Sequence, residues 1–299
     1  MKLGIDLGGT KIEIIALNEK GETLHQQRIA TPKDSYQTIL QEITNLVLKT
    51  ESTLLKTGTV GICTPGAISP TTGLLRNSNT TCLNGKPFKQ DLEDYLNREI
   101  AIANDANCFA LSEAVDGAGQ NAKIVFGVII GTGTGAGIVI DKTVLTGSNA
   151  IAGEWGHNPL PWPNQNELPG IDCYCGKKGC IETWLSGPGF SKNFHLETKR
   201  LLSAEQIVSK AELGDETCET ALTNYENRMA RGLSHIINIL DPDIIVLGGG
   251  MSNISRLYKN VPKIWHQYIF SDHINTKLLP PIHGDSSGVR GAAWIGAAL

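Results

Sequence analysis

A ladder of glycines, Gly131-Thr132-Gly133-Thr134-Gly135-Ala136-Gly137, runs straight out of the apolar segment Val125–Ile130. Glycines spaced this closely let backbone N–H groups come up against an anion. Downstream the chain adds Gly153-Glu154-Trp155-Gly156-His157, then Cys173-Tyr174-Cys175-Gly176-Lys177-Lys178-Gly179-Cys180-Ile181-Glu182. Three cysteines and a histidine suffice for a tetrahedral metal. Glu154 and Glu182 stand directly beside those ligands. A phosphate cradle, a metal clip and paired acids in one span predict a phosphoryl-transfer site with a stapled substrate pocket.

The frame around that span is an ordinary globular one. A chain of 299 residues suits one large or two medium domains with ample core. A net charge of -4 and a pI near 6.0 give no electrostatic footprint for nucleic acid. The chain enters a strand-like pattern at Met1–Asp6 without a charged and then apolar leader, and no apolar run is long enough for a bilayer. The expected location is the cytoplasm. There the clustered cysteines read as metal ligands, and Cys63, Cys82, Cys108 and Cys218 as small buried hydrophobes.

Taken in order, Leu3–Leu7 is a short strand carrying one acid, Asp6. Gly8-Gly9-Thr10-Lys11 forms a tip, and Ile12–Leu17 returns as a second strand. Gly127–Ile140 repeats this design: strand, Gly/Thr-rich tip, strand, with Asp141-Lys142 as the turn. Two copies of one hairpin predict a duplicated architecture. Ser35–Lys49 and Phe88–Asn97 have helical spacing. Gly58–Cys63 and Ile100–Ala103 read as strands; the second feeds Asn104-Asp105 and a helix, Ala106–Val115. Ligands gather beyond strand C-termini in open α/β folds, so Asp105 is a candidate catalytic acid, with helix N-cap as the competing role. Thr217–Ile239 predicts a long helix. Asp243–Leu247 predicts a strand into Gly248-Gly249-Gly250, with Ser252 and Asn253 starting a helix, a second anion platform. The end of the chain, Asp285–Gly291 and then Ala292–Leu299, predicts a terminal helix of small residues.

Ile130, Gly133, Gly135, Gly137, Gly147, Gly153, Gly156 and His157, with the cysteine box, resemble the signature of the ROK family of bacterial sugar kinases and sugar-responsive repressors. The paired hairpins also resemble those of the actin/hexokinase/Hsp70 superfamily. The resemblance implies an α/β, duplicated actin/hexokinase-like (ribonuclease H-like) two-lobe fold. Residues 1–117 would form a small lobe with the first phosphate hairpin and the catalytic acid. Residues 118–299 would hold the second hairpin, the zinc box and the adenosine site, with the terminal helix packing back on the first lobe. It implies Asp105 as general base. Gly66, Asn79, Asn104, Glu154, His157 and Glu182 would be sugar contacts. ATP would lie along Gly4, Ile5, Asp6, Leu7, Gly8, Gly9, Thr10 and Lys11, along Gly131, Thr132, Gly133, Thr134, Gly135, Ala136, Gly137 and Ile138, and at Gly248, Gly249 and Gly250. Asp6 would serve Mg²⁺, directly or through water. His157, Cys173, Cys175 and Cys180 would hold a structural zinc.

Within the family, Asn79–Gly85, Ala103–Cys108 and Gly153–Trp162 look most like the bacterial fructokinase/mannokinase branch. The expected reaction is therefore ATP-dependent phosphorylation of D-fructose, and of mannose, at the 6-position, with N-acetylglucosamine or glucose as the alternative. Cys82 departs from the tryptophan that branch would place there. A sugar-responsive repressor is disfavoured because the first glycine hairpin begins at Gly4, leaving no room for a DNA-binding segment. An actin-like or chaperone-like ATPase does not account for Asn104-Asp105 or the cysteine box. A small hexose is the expected partner, and a homodimer is compatible with the sequence.

Overall fold

The protein is described from a computed structural model covering residues 1–32, 35–78 and 80–298. The chain forms two compact units. Unit 1 comprises Met1–Gln120, Lys142–Ala152 and Ile282–Leu299; unit 2 comprises Asn121–Asp141 and Gly153–Pro281.

In unit 1, β1 (Lys2–Leu7), β2 (Lys11–Leu17) and β3 (Thr23–Ala30) form an antiparallel meander. β4 (Thr59–Thr64) pairs parallel with β1, and β7 (Ala101–Asn104) parallel with β4, giving the order β3-β2-β1-β4-β7. Leu3, Ile5 and Leu7 on one face and Lys2 and Gly4 on the other are buried, as expected of a central strand covered on both faces. A small ribbon, β5 (Ala67–Ile68) with β6 (Leu75–Arg76), follows β4. One face of the sheet is covered by α1 (Tyr36–Leu54) and α2 (Phe88–Leu96). The α1 residues Ile39, Leu40, Ile43, Leu46 and Val47 are buried, and Ser35 caps the helix by accepting from the Thr38 N–H at 3.3 Å. α1 runs a full turn beyond the helix expected from spacing, because the polar stretch Thr50–Leu54 continues it to a left-handed end at Leu55.

α3 (Asp105–Val115) leaves β7 directly. A short strand, β10 (Thr143–Val144), and the terminal helix α9 (Ser287–Gly296) complete the unit. α9 packs on β1, β4 and α3. It includes Gly288 and Gly291, although glycine usually signals a loop. Their lack of a side chain is used for packing.

Unit 2 repeats the plan. β8 (Ile124–Ile130) and β9 (Thr134–Ile140) form the second hairpin, and β11 (Ile244–Gly248) and β12 (Lys277–Leu279) add in parallel, in the order β9-β8-β11-β12. Between them run α4 (Ile181–Leu185), α5 (Gly187–Thr198), α6 (Ala204–Glu212) and the long α7 (Glu216–Leu240), with α8 (Leu257–Trp265) after β11. The duplication read from the two hairpins is thus present in the strand order of both units. Phe126, Trp155, Phe190, Tyr225 and Trp265 anchor the unit 2 core. Among the described residues, no helix is long and apolar enough to cross a membrane.

α9 is tied to the end of α3 by charge. Burial alone would push the Asp116 carboxyl up, but hydrogen bonds from His283 and Arg290 outweigh it and hold it below the usual range. His283 is pushed up, chiefly by the Asp116 hydrogen bond, its Nε2 lying 3.1 Å from Oδ1. The carboxyl therefore stabilises above its unfolded pKa of about 3.9, and the gain is lost as pH falls through its lowered folded value. The imidazole stabilises fully below its unfolded pKa of about 6.5, and that gain is lost as pH rises through its raised folded value. The link is thus strongest between about pH 4 and 6.5. Urea midpoints should fall more between about pH 6 and 9 for the wild type than for His283→Ala. Equal falls would remove the link.

Candidate functional site

Because β1, β4 and β7 are parallel, their C-terminal ends share one edge of unit 1. The registers Asp6 opposite Cys63, and Thr64 opposite Asn104, bring the Asp6 and Asn104-Asp105 segments to that edge. The Asn104 side chain caps α3, Oδ1 accepting from the Asn107 N–H at 2.8 Å. This corrects the competing reading in which Asp105 caps the helix. Asp105 is the first helical residue; its carboxylate is exposed and accepts from the Ala106 N–H at 2.8 Å. Crowding by protein pushes its carboxyl up despite that bond and one from its own N–H.

Asp6 is half-buried and also pushed up, first by burial. The Cys63 thiol donates to it and opposes the rise, while the negative charges of Asp105 and Glu13 add to it and Lys11 opposes it. Gly8 closes the hairpin tip, its N–H donating to the Lys11 carbonyl at 2.9 Å, and leaves Gly9 and Thr10 exposed. Gly4, Ile5 and Leu7 are buried in β1. Lys11 is not a free cation: its Nζ lies 3.9 Å from the buried Glu13 carboxylate, which Arg28 Nε meets at 2.8 Å. The sequence reading missed Glu13, although its alternation with Lys11 along one strand was a visible signal. Gly66 sits just past β4 at φ +87°, where a Cβ would lie 2.3 Å from the Arg76 carbonyl oxygen. Asn79 lies outside the described residues.

In unit 2 the ladder divides into two parts. Gly131, Thr132 and Gly133 form an exposed or half-buried tip, closed by the Gly131 N–H donating to the Gly133 carbonyl at 2.9 Å. Thr134, Gly135, Ala136, Gly137 and Ile138 lie inside β9, paired with β8. The Thr134 N–H donates to Glu182 Oε2 at 2.9 Å, so Glu182 is anchored to the hairpin. Gly249 and Gly250 are exposed beside that tip, at the end of β11, and Gly248 is buried. The helix expected at Ser252 is a single 3₁₀ turn, Gly250–Asn253, and α8 starts only at Leu257. Ser252 is spent on closing that turn, its hydroxyl donating to the Gly249 carbonyl at 2.6 Å.

The loop carrying Glu154 and His157 lies flat on β9. A Cβ at Gly153 would meet the Ala136 carbonyl oxygen at 2.1 Å, and one at Gly156 the Thr134 carbonyl oxygen at 2.0 Å. Trp155 anchors the loop from below, its indole N–H donating to the Gly232 carbonyl at 3.2 Å, and leaves Glu154 exposed. A neighbouring ion-pair cluster, buried Glu167 with Arg228 and Arg231, ties the segment leading to the cysteines onto α7.

His157, Cys173, Cys175 and Cys180 converge, with one donor atom from each lying within 4.8 Å of the others. Cys173 Sγ is 3.6 Å from His157 Nδ1, and Cys175 Sγ is 3.6 Å from Cys180 Sγ. Four donors at zinc bond lengths on a tetrahedron would stand about 3.8 Å apart for S···S and about 3.5 Å for S···N. The donor set fits such an ion. The other ring nitrogen of His157, Nε2, lies 2.8 Å from the Tyr174 hydroxyl.

The sequence profile of the ROK family matches residues 2–298. The chain belongs to the ROK family. It is one of the family's sugar kinases and has its duplicated actin-like α/β fold. An N-acetyl-D-glucosamine kinase of Photobacterium profundum is 40% identical over 299 residues, 99% of each chain. The crystal structure of a ROK hexokinase from Thermus thermophilus superposes with a TM-score of 0.89 at 26% identity, over 100% of this chain and 98% of that one. A ROK glucokinase from Streptomyces griseus, solved with glucose and AMPPNP, has a TM-score of 0.74 at 25% identity, over 98% and 97% of the two chains.

These relatives overturn the expected fructose and mannose specificity. Further full-length relatives at 38–40% identity also bear the name N-acetyl-D-glucosamine kinase. The physical reason lies in the residues used for the expectation. Glycines, acids and an Asn-Asp pair are residue types suited to phosphates and to hydroxyl groups, and every hexose carries hydroxyls, whereas discrimination between sugars rests on contacts to the groups in which they differ.

Proposed function

We propose that this chain transfers the γ-phosphoryl group of ATP to a hydroxyl of free N-acetyl-D-glucosamine. The identity of about 40% across the whole chain supports the sugar. Asp105 carries the chemistry: an exposed carboxylate with a raised pKa, at the edge where β1, β4 and β7 end, relieved of capping by Asn104.

In this reading the sugar hydroxyl gives its proton to the Asp105 carboxylate as its oxygen attacks the γ-phosphorus. The bond from that phosphorus to the bridging oxygen breaks, and ADP leaves with the electron pair. The primary hydroxyl is the least hindered acceptor. The Asn104 amide N–H₂, free of the capping bond, orients the ring together with Gly66, Asn79, Glu154 and Glu182. Glu182 does this while tethered to the Thr134 N–H. Gly9 and Thr10, and Thr132 and Gly133, offer N–H groups to the phosphates, while Gly8 and Gly131 close the tips that hold them; Gly249 and Gly250 border the nucleotide. Asp6 suits Mg²⁺ because burial and neighbouring acids already strain its negative charge. When bound, the ion neutralises phosphate charge. His157, Cys173, Cys175 and Cys180 hold a structural zinc that fixes the segments carrying Glu154 and Glu182 and takes no part in the reaction.

Three outcomes follow. In an ADP-release assay over free hexoses, kcat/KM should be highest for N-acetyl-D-glucosamine, and a higher value for fructose or glucose would discard the assigned sugar. Asp105→Asn should leave melting temperature and sugar binding near wild type and lower kcat by about 10²–10⁴. In the wild type, the raised pKa should place the acid limb of kcat above the ordinary carboxylate range of about 4. Full activity of the Asn variant would end the base assignment. Purified protein should contain one zinc per chain, and Cys175→Ser should release it and loosen the Glu182 segment. Metal-free wild-type protein that melts like the native form would refute the clip.

A further inference from the structure

Glu113, two turns along α3 from Asp105, is completely buried, yet among the described residues every hydrogen-bond partner it has is neutral. Oε2 accepts from the Ala118 N–H at 2.9 Å and the Ile282 N–H at 3.2 Å. Oε1 accepts from the Ser287 hydroxyl at 2.9 Å and the His283 N–H at 3.5 Å. Gly117 makes room, since a Cβ there would stand 2.3 Å from Oε2. A buried carboxylate without a cation is a costly way to gain stability. What this one does achieve is geometric: one side chain grips the exit of α3 and the entry of α9 together.

α9 is where that grip matters. Its backbone lies against the sheet and α3 with no side chain between. A Cβ at Gly4, two residues before Asp6, would fall 2.1 Å from the Val289 carbonyl oxygen. One at Gly61, two before Cys63, would fall 1.9 Å from that of Ala292. One at Gly291 would fall 1.8 Å from the carbonyl oxygen of Cys108, in the first turn of α3. At the helix start, a Cβ on Gly288 would touch Asp6 Oδ2 at 3.4 Å. Backbone pressed on backbone has no rotamer to absorb a displacement, so a shift of α9 moves β1 and α3 with it.

We propose that Glu113 is a positioning residue of the phosphoryl-transfer site. By fixing α9 against α3 it sets the Asp6 carboxylate relative to Asp105. This rests on the roles proposed above for those two acids. Glu113→Gln keeps the size but turns an N–H₂ toward groups that are all donors. Ser287→Ala removes one donor and leaves the carboxylate in place.

Each variant is assayed as the full chain, with melting temperature, kcat, sugar KM and the Mg²⁺ concentration for half-maximal rate, beside Asp6→Asn. Glu113→Gln should lower kcat about tenfold or more and raise the Mg²⁺ requirement, with sugar KM within about twofold, as expected of a misplaced catalytic group. Ser287→Ala should shift both in the same direction by less. A folded Glu113→Gln with wild-type kcat and Mg²⁺ dependence overturns the inference. Should that variant not fold, wild-type Mg²⁺ dependence in Ser287→Ala does so instead. If Asp6→Asn itself keeps the wild-type Mg²⁺ dependence, the role of Asp6 falls and takes the inference with it. If Asp6→Asn loses it and Glu113→Gln does not, only the inference fails.

Discussion

Close approach of α9 to the first sheet is the constraint on which unit 1 depends. Gly4 and Gly61 on the strands and Gly291 on the helix each occupy a point where a methyl group would overlap a carbonyl oxygen. The helix then covers β1 and β4 with Ala292 and Ala293 buried, and β1 is locked in place as a central strand. Asp6 and Asn104-Asp105 gain their common edge from this, because parallel strands held in one register must end together. A side chain at any of the three glycines would push the helix off, and the edge would lose its backing.

Unit 2 uses the same device for a different purpose. Gly153 and Gly156 let an irregular loop lie directly on β9, so Glu154 and His157 are carried by a strand although they belong to none. The cysteines grip that loop from the other side through His157, and Glu182 bonds back to the ladder at Thr134. Hairpin, loop and cysteine cluster thus form one mechanical piece. Such a piece can present loop acids with little freedom lost on binding.

Several local signals were legible because their physics is local. The two hairpins announced themselves through apolar strands around glycine tips, and the cysteine box through ligand spacing. Other signals misled for equally physical reasons. Asp105 looked like a cap because acids commonly are, but backbone geometry put Asn104 at the capping position. Ser252 and Asn253 looked like a helix start, yet the Ser252 hydroxyl closes a 3₁₀ turn. The use of Gly288 and Gly291 was not visible, since it exists only against Asp6 and Cys108. The sugar was misread because the recognisable motifs are of residue types that suit what hexoses share.

By itself, the order of residues determined the family and the duplicated α/β plan, and it marked four candidate metal-ligating positions through their spacing and a candidate base through resemblance. Tertiary structure alone decided which residues those groups answer to. That Glu113 bridges α3 and the segment before α9, that Tyr174 meets the second nitrogen of His157, and that Glu13 pairs with both Arg28 and Lys11 depend on partners brought together from separate strands, helices and loops. Hydrogen bonds and charge pairing act over a few ångströms of space, and spacing in a sequence sets that distance only inside a single element.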